Sequence, residues 1–281
     1  MNGTTATLAE TYERDGFVFP YEVLDTNMAA EIRADLEAGE AELADRPDEL
    51  SMLRNYPARL LPFFDALIRN PRLIDAAKQI LGPDLLVWGS GLFIKEANAP
   101  GYVSWHQDLN YWGLTDAKEL TAWVALSPTT VASGCMRFVA GSQRQNIVPH
   151  ADTFAADNLL TRGQEIAVEV DEADAVDVVL SPGQASLHHG HLFHSSGPNR
   201  TDDRRIGVAI RYIVPSMKQK TGDKSLVALV NGEDRHGHFT VAPPPEGRLR
   251  EADFALCRRD MEIKERILYE GAESKRGNRY R

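Results

Sequence analysis

Two cysteines, Cys135 and Cys257, are all that the 281 residues hold. Two thiols in a chain of this length neither build a disulfide framework nor supply a thiolate zinc site, and they fit a reducing cytoplasm. Nowhere do 18 apolar residues run together, and Met1 to Glu10 shows no basic stretch leading into an apolar one, so neither membrane insertion nor secretion is expected. Positive charge is short as well. Lys and Arg number 31 against 41 Asp and Glu, and the net charge of -10 repels nucleic acid phosphates and anionic membrane surfaces. A small-molecule substrate is the expectation left standing.

The length suits a single domain over 1–281 with a well-buried core. Thr7 to Glu42 reads as helix, a short strand at Gly16 to Pro20, and helix again, with Met28, Ile32 and Leu36 at helical spacing. Asp45 to Ala58 is polar and contains proline, which reads as a loop able to serve as a lid. Helical periodicity returns over Leu60 to Leu81 and stops at Gly82-Pro83, completing a helical N-terminal part over 1–84. From Leu85 the texture changes to short β-prone runs: Leu85-Val87, Gly91-Lys95, Leu120-Leu126, Ala185-His191 and Gly207-Val214. Helices in front and many short strands behind exclude βα alternation and imply a mainly β fold with flanking helices, a sandwich or barrel with its core over 85–217. Gln164 to Asp177 reads as an exposed acidic strand and loop, and 218–281 as a C-terminal extension, polar and helix-prone after Gly247.

The sharpest local signal is His106-Gln107-Asp108. Residues two apart in a strand share a face, so one imidazole and one carboxylate converge there. Iron(II) in oxygenases is held by two His and one carboxylate on one side of an octahedron, so a second His is needed from elsewhere. His188, His189, His191 and His194 all offer one, and spacing alone does not choose among them.

His-x-Asp, then about ninety residues, then His-Ser-Ser-Gly-x-Asn with an Arg eleven residues beyond that His, resembles the phytanoyl-CoA dioxygenase family of iron and 2-oxoglutarate oxygenases. The resemblance runs from about Tyr12 to Met217 and implies a double-stranded β-helix, the cupin-like jelly roll, with iron(II), 2-oxoglutarate and dioxygen as its chemical partners. It assigns His106, Asp108 and His194 as metal ligands and leaves His188, His189 and His191 outside the ligand set, His189 being the first choice to support it. It gives Arg205 the distal carboxylate of 2-oxoglutarate, a task suited to a planar guanidinium, with Ser196, Trp123 and Lys95 beside it. Arg204 is the rival; alternation along a strand puts Arg205, Gly207, Ala209 and Arg211 on one face and Arg204 on the other. In halogenating relatives a small residue replaces the carboxylate ligand, so Asp108 implies hydroxylation instead.

Substrate contacts are expected from Arg54 and Asn55 on the lid, Asn110, Tyr111 and Trp112 after the ligand pair, and Arg137, Asn199 and Arg211 at the rim. These polar and aromatic residues suit an amino acid derivative or an aminoalkylphosphonate. An acyl-CoA or carrier-bound substrate would need a basic patch, for which Arg54, Arg59, Arg69 and Arg72 are candidates. From other classes, a non-catalytic jelly-roll metal binder would show no turnover, and a cupin-like zinc or manganese enzyme would consume no 2-oxoglutarate.

Overall fold

The computed structural model describes residues 6–153, 155–160 and 163–268. Helix α1 (Leu8–Asp15) opens on a capping box, in which the Glu10 amide donates to the Thr7 hydroxyl and the Thr7 amide to the Glu10 carboxylate. It closes on Gly16, whose φ of 85° is a left-handed conformation open to glycine. Strand β1 (Phe17–Glu22) follows, then α2 (Thr26–Glu42), capped by Asp25, with Ile32 and Leu36 on its buried side.

Next come α3 (Pro47–Asn55), α4 (Pro57–Leu60), α5 (Pro62–Ile68) and α6 (Pro71–Leu81), each with proline in its first turn. This corrects the expected lid over Asp45 to Ala58. Prolines that read as loop punctuation instead start helices, where the missing N–H has no intrahelical acceptor to lose. Met52, Leu53 and Tyr56, the apolar residues of that stretch, are buried in the core.

Strands β2 (Leu85–Lys95), β3 (Val103–His106), β4 (Glu119–Ala125), β5 (Met136–Val139), β6 (His150–Asp152) and β7 (Gln164–Ile166) come after the helices. They are followed by β8 (Ala175–Val178), β9 (Gln184–His188), β10 (His194–Ser196), β11 (Arg205–Ile213), β12 (Leu226–Asn231), β13 (Thr240–Val241) and helix α7 (Glu251–Leu268). A seven-stranded sheet runs β1-β9-β4-β11-β2-β12-β13, a four-stranded sheet runs β3-β10-β5-β8, and β6 pairs with β7. Trp123 and Ala209 of the large sheet pack with Met136, Phe138 and Val178 of the small one. Two sheets sandwiched in this way, with helices outside, are the expected mainly β architecture. The acidic stretch 164–177 forms β7, a tight turn at Glu172–Asp174 and part of the edge strand β8.

The period of two along β11 divides the molecule. Ile206, Val208, Ile210 and Tyr212 enter one core with Leu36, Leu53, Phe64 and Leu73 of the helices, while Arg205, Ala209 and Arg211 line a cleft on the opposite face. The C-terminal stretch is built into the helical side rather than appended to it: β12 pairs with β2, and Phe254 and Cys257 of α7 join that core. Residues of the expected tail beyond Leu268 lie outside the described residues. No described helix is long and apolar enough to cross a membrane.

Candidate metal centre

Strand β3 ends on His106 and β10 begins on His194, and their antiparallel register sets the two directly opposite. Asp108 opens a 3-10 turn (Asp108–Tyr111) that carries the chain off β3. Its Oδ1 lies 3.2 Å from His106 Nε2 and 3.8 Å from His194 Nε2. One ligand atom from each residue falls within 4.8 Å of the others. Nδ1 of His106 meets the Ser104 carbonyl at 2.9 Å, and Nδ1 of His194 meets that of Leu192 at 2.9 Å. A neutral imidazole donates there and presents the lone pair of Nε2, as a metal ligand must.

Protonation states agree with that role. Burial, and next the neighbouring His106, pull His194 down to about 4, so it is neutral at ordinary pH. Burial would push the Asp108 carboxyl up, but the neighbouring His106, His194 and Arg211 outweigh it and hold it well below the usual carboxylate range. Two imidazoles from adjoining strands and one carboxylate from the turn after β3 fit iron(II), with one side left for further ligands.

These residues line a cleft together with Phe93, Thr121, Trp123, Met136, His188, Ser196, Arg205 and Arg211. Arg205 is 2% exposed, lies with its guanidinium carbon 5.2 Å from the Trp123 ring centroid, and keeps a buried Nε without a partner. Burial with no facing carboxylate pulls it down to about 10, which still leaves it charged at neutral pH. A buried guanidinium so placed is costly until an anion meets it. Lys95, register partner of Arg205, is buried too; its Nζ donates to Ser196 Oγ at 2.7 Å and to the Gly197 carbonyl. Burial and the neighbouring Arg205 pull this amine down to about 6. Arg204 takes no part in the cleft. It faces the helices and pairs with Glu40 at 2.8 Å and Glu96 at 2.9 Å.

The expected substrate residues divide. Arg211 belongs to the cleft wall, whereas Trp112 is buried outside the cleft lining, its ring lying 5.3 Å from the Arg211 guanidinium. Asn110 is exposed on the turn that starts at Asp108, and the Tyr111 ring meets that of His150 edge-on at 5.4 Å. Four others lie elsewhere, a correction in each case. Arg54 pairs with Glu40 at 2.7 Å and Asn55 donates to the Ser51 carbonyl at 2.8 Å, both on the helical side of the large sheet. Asn199 is buried and spends its amide on the carbonyls of Lys95, Glu96 and Asp203 and its oxygen on Thr201, fastening a loop. Arg137 alternates with the inward Met136 and Phe138, so it faces outward, paired with Glu172 at 2.7 Å.

Among the downstream histidines the supporting one is His188, not His189. His188 lines the cleft with its ring 5.4 Å from that of His194, and burial keeps it neutral, well below its usual range. His189 instead lies on the far side, 6.0 Å from the Tyr12 ring, and the His191 ring stands 5.1 Å from it. Thr121 and His188 were legible in principle, since they share strand faces with Trp123 and Ser186. Glu119 carried no signal. Its buried carboxyl accepts from the Gly190 amide at 2.5 Å, and the Gly190 carbonyl accepts from the Leu109 amide at 3.1 Å, which ties the two ligand-bearing segments together. Burial pushes the Glu119 carboxyl well above the usual range.

Residues 12–207 match the family model for phytanoyl-CoA dioxygenase. A probable alpha-ketoglutarate-dependent hypophosphite dioxygenase from Stutzerimonas stutzeri is 27% identical over 53% of this chain and 52% of its own length, so the chain spans about half of that relative. An ectoine dioxygenase from Streptomyces avermitilis is 26% identical over 74% of this chain and 78% of its own. Among solved structures, the non-heme monooxygenase ThoJ in its apo form is 35% identical, with a TM-score of 0.85 over 94% of this chain and 98% of that one.

Proposed function

The chain belongs to the phytanoyl-CoA dioxygenase family, and from that premise we propose that it is an iron(II)- and 2-oxoglutarate-dependent dioxygenase hydroxylating an aliphatic carbon of a small polar substrate. One observation carries the reading: His106, Asp108 and His194 converge in the same cleft as Arg205, a buried guanidinium whose Nε has no partner among the described residues.

His106, Asp108 and His194 would hold the iron, which when bound supplies the redox chemistry that turns 2-oxoglutarate and dioxygen into succinate and carbon dioxide and oxidises a substrate C–H bond. Arg205 grips the distal carboxylate of 2-oxoglutarate, with Ser196 donating beside it and Lys95 holding Ser196 in place. Trp123 supports the guanidinium through its ring face. Trp123, Phe93 and Met136 give the cleft apolar walls that keep bulk water from the reacting carbon. Asp108 occupies the carboxylate position, which supports hydroxylation rather than halogenation. The chain works as one oxygenase domain, since β12 and α7 complete the core begun by the helices.

A small substrate suits a cleft walled by buried side chains with a polar turn beside it. The arginines named as a basic patch for an acyl-CoA are otherwise engaged among the described residues. Arg54, Arg59 and Arg69 are paired with Glu40, Asp253 and Asp65, and Arg72 shares their side of the large sheet, donating to the Glu22 carbonyl.

The test is succinate release from purified protein with iron(II), dioxygen and 2-oxoglutarate supplied and withheld one at a time. A slow rate that needs all three, and rises with an amino acid derivative or an aminoalkylphosphonate, is expected. Turnover by a zinc-loaded protein without 2-oxoglutarate would overturn the reading.

A further inference from the structure

Strand β11 presents two arginines to one cleft. Arg205 and Arg211 stand six residues apart, which in a strand separates their Cα atoms by roughly 20 Å, and Gly207 and Ala209 between them add almost no side chain. The room they leave is shared: the Trp123 ring lies against Gly207 next to Arg205, so the two guanidinium groups have separate surroundings. Arg205 has a ready-made setting for the co-substrate's far carboxylate, with Ser196 and Lys95 at hand. Arg211 has a setting of its own. Its guanidinium lies 5.3 Å from the Trp112 ring centroid and 6.0 Å from that of Phe93, and its buried Nε has no partner among the described residues.

Among the described residues no carboxylate forms an ion pair with Arg211. The two acids nearest in effect are otherwise engaged: Asp108 turns its oxygen to the imidazoles, and Glu119 accepts from Gly190 while burial disfavours its ionised form. Aromatic faces orient a guanidinium but do not neutralise it, so the site still calls for an anion. A five-carbon diacid held at Arg205 and at the metal does not extend to the far end of the strand as well, so that anion belongs to a second molecule. Asp108 and both ligand histidines share the cleft with Arg211, and its charge acts on Asp108 and His194.

We propose that Arg211 is the anion-binding residue for the substrate, holding a carboxylate or phosphonate that lies only a few bonds from the carbon to be oxidised. This rests on the dioxygenase reading and narrows it: the substrate is a small acid oxidised close to its acidic group, not a neutral molecule and not one whose charge lies at a distant end. Its neutral amide or ester is a poor ligand. The fork geometry of Arg makes the discrimination depend on two parallel hydrogen bonds, so lysine replaces it only in part.

The protein loaded with nickel(II) and 2-oxoglutarate, which does not turn over, is titrated calorimetrically with N-acetyl amino acids and aminoethylphosphonate, each alongside its neutral primary amide or dimethyl ester. At least one acid is expected to bind roughly tenfold or more tighter than its neutral counterpart, a difference of one decade in Kd. Arg211→Gln should erase that preference, and Arg211→Lys should recover part of it. An acid preference that survives in Arg211→Gln, neutral compounds binding as tightly as acids, or no acid binding at all would each overturn the assignment. The same cell measures 2-oxoglutarate binding to the nickel protein before any acid is added. Its absence would overturn the dioxygenase reading itself, whereas its presence with no acid preference would overturn only the role of Arg211.

Discussion

Family resemblance alone assigns Lys95 a place beside Arg205; nothing in its neighbouring residues shows that it is 2% exposed with its amine pulled down to about 6. The signal lay in the register, which puts Lys95 opposite Arg205, and register is set by strands that are distant in sequence. The consequence is a pH dependence of co-substrate binding. An amine with a lowered pKa is mostly neutral above about pH 6, and the carboxylate arriving at Arg205 favours its protonated form, so binding takes up a proton. Affinity for 2-oxoglutarate is expected to fall as pH rises from about 6 toward 8. Calorimetry in buffers of different ionisation heat should show net proton uptake, absent in Lys95→Met. Proton release, or uptake unchanged in that variant, would show that Lys95 is not the group that takes up the proton. The metal ligands were legible because His106 and Asp108 stand two apart and His194 precedes a recognisable Ser-Ser-Gly-x-Asn run. Asn199, in the same run, was not: a buried amide that satisfies three carbonyls looks identical in sequence to one waiting for a ligand.

At the scale of the element, β11 was readable and α3 was not. Strict alternation over Arg205 to Tyr212 placed both faces correctly before any partner strand was known. The stretch from Asp45 to Ala58 offered charge and proline, whose loop meaning lost to the first-turn preference of proline once Leu53 and Met52 had a core to enter. Gly207 carries the sharpest test of the β11 geometry. A Cβ added there would fall 1.9 Å from the Trp123 ring, so Gly207→Ala must displace the indole that supports Arg205. We expect a loss of about 1–3 kcal/mol in stability from the overpacking, with 2-oxoglutarate affinity falling at least several-fold while metal binding persists. Denaturant unfolding and a co-substrate titration measure the two effects. Unchanged co-substrate affinity would mean that Trp123 has another place to go.

Across the whole molecule, the large sheet separates two tasks. Its outer face binds the helical layer and α7 into one core, and its inner face, with the small sheet, holds the charged groups. That division explains why Arg54 and Asn55 lie far from the chemistry although the chain seemed free to fold them over it: the apolar residues between them and the strands belong to the other side. It also explains why a chain of net charge -10 can recognise acids, since Arg205 and Arg211 are displayed inward and the acidic excess lies elsewhere. The central claim is that His106, Asp108 and His194 together hold the iron on which this arrangement depends. Anaerobic titration with iron(II) tests it most directly: wild type should bind one iron per chain and Asp108→Ala should lose at least tenfold in affinity, whereas Arg205→Ala should bind iron as wild type does and lose 2-oxoglutarate. Undiminished iron binding by Asp108→Ala would contradict the account.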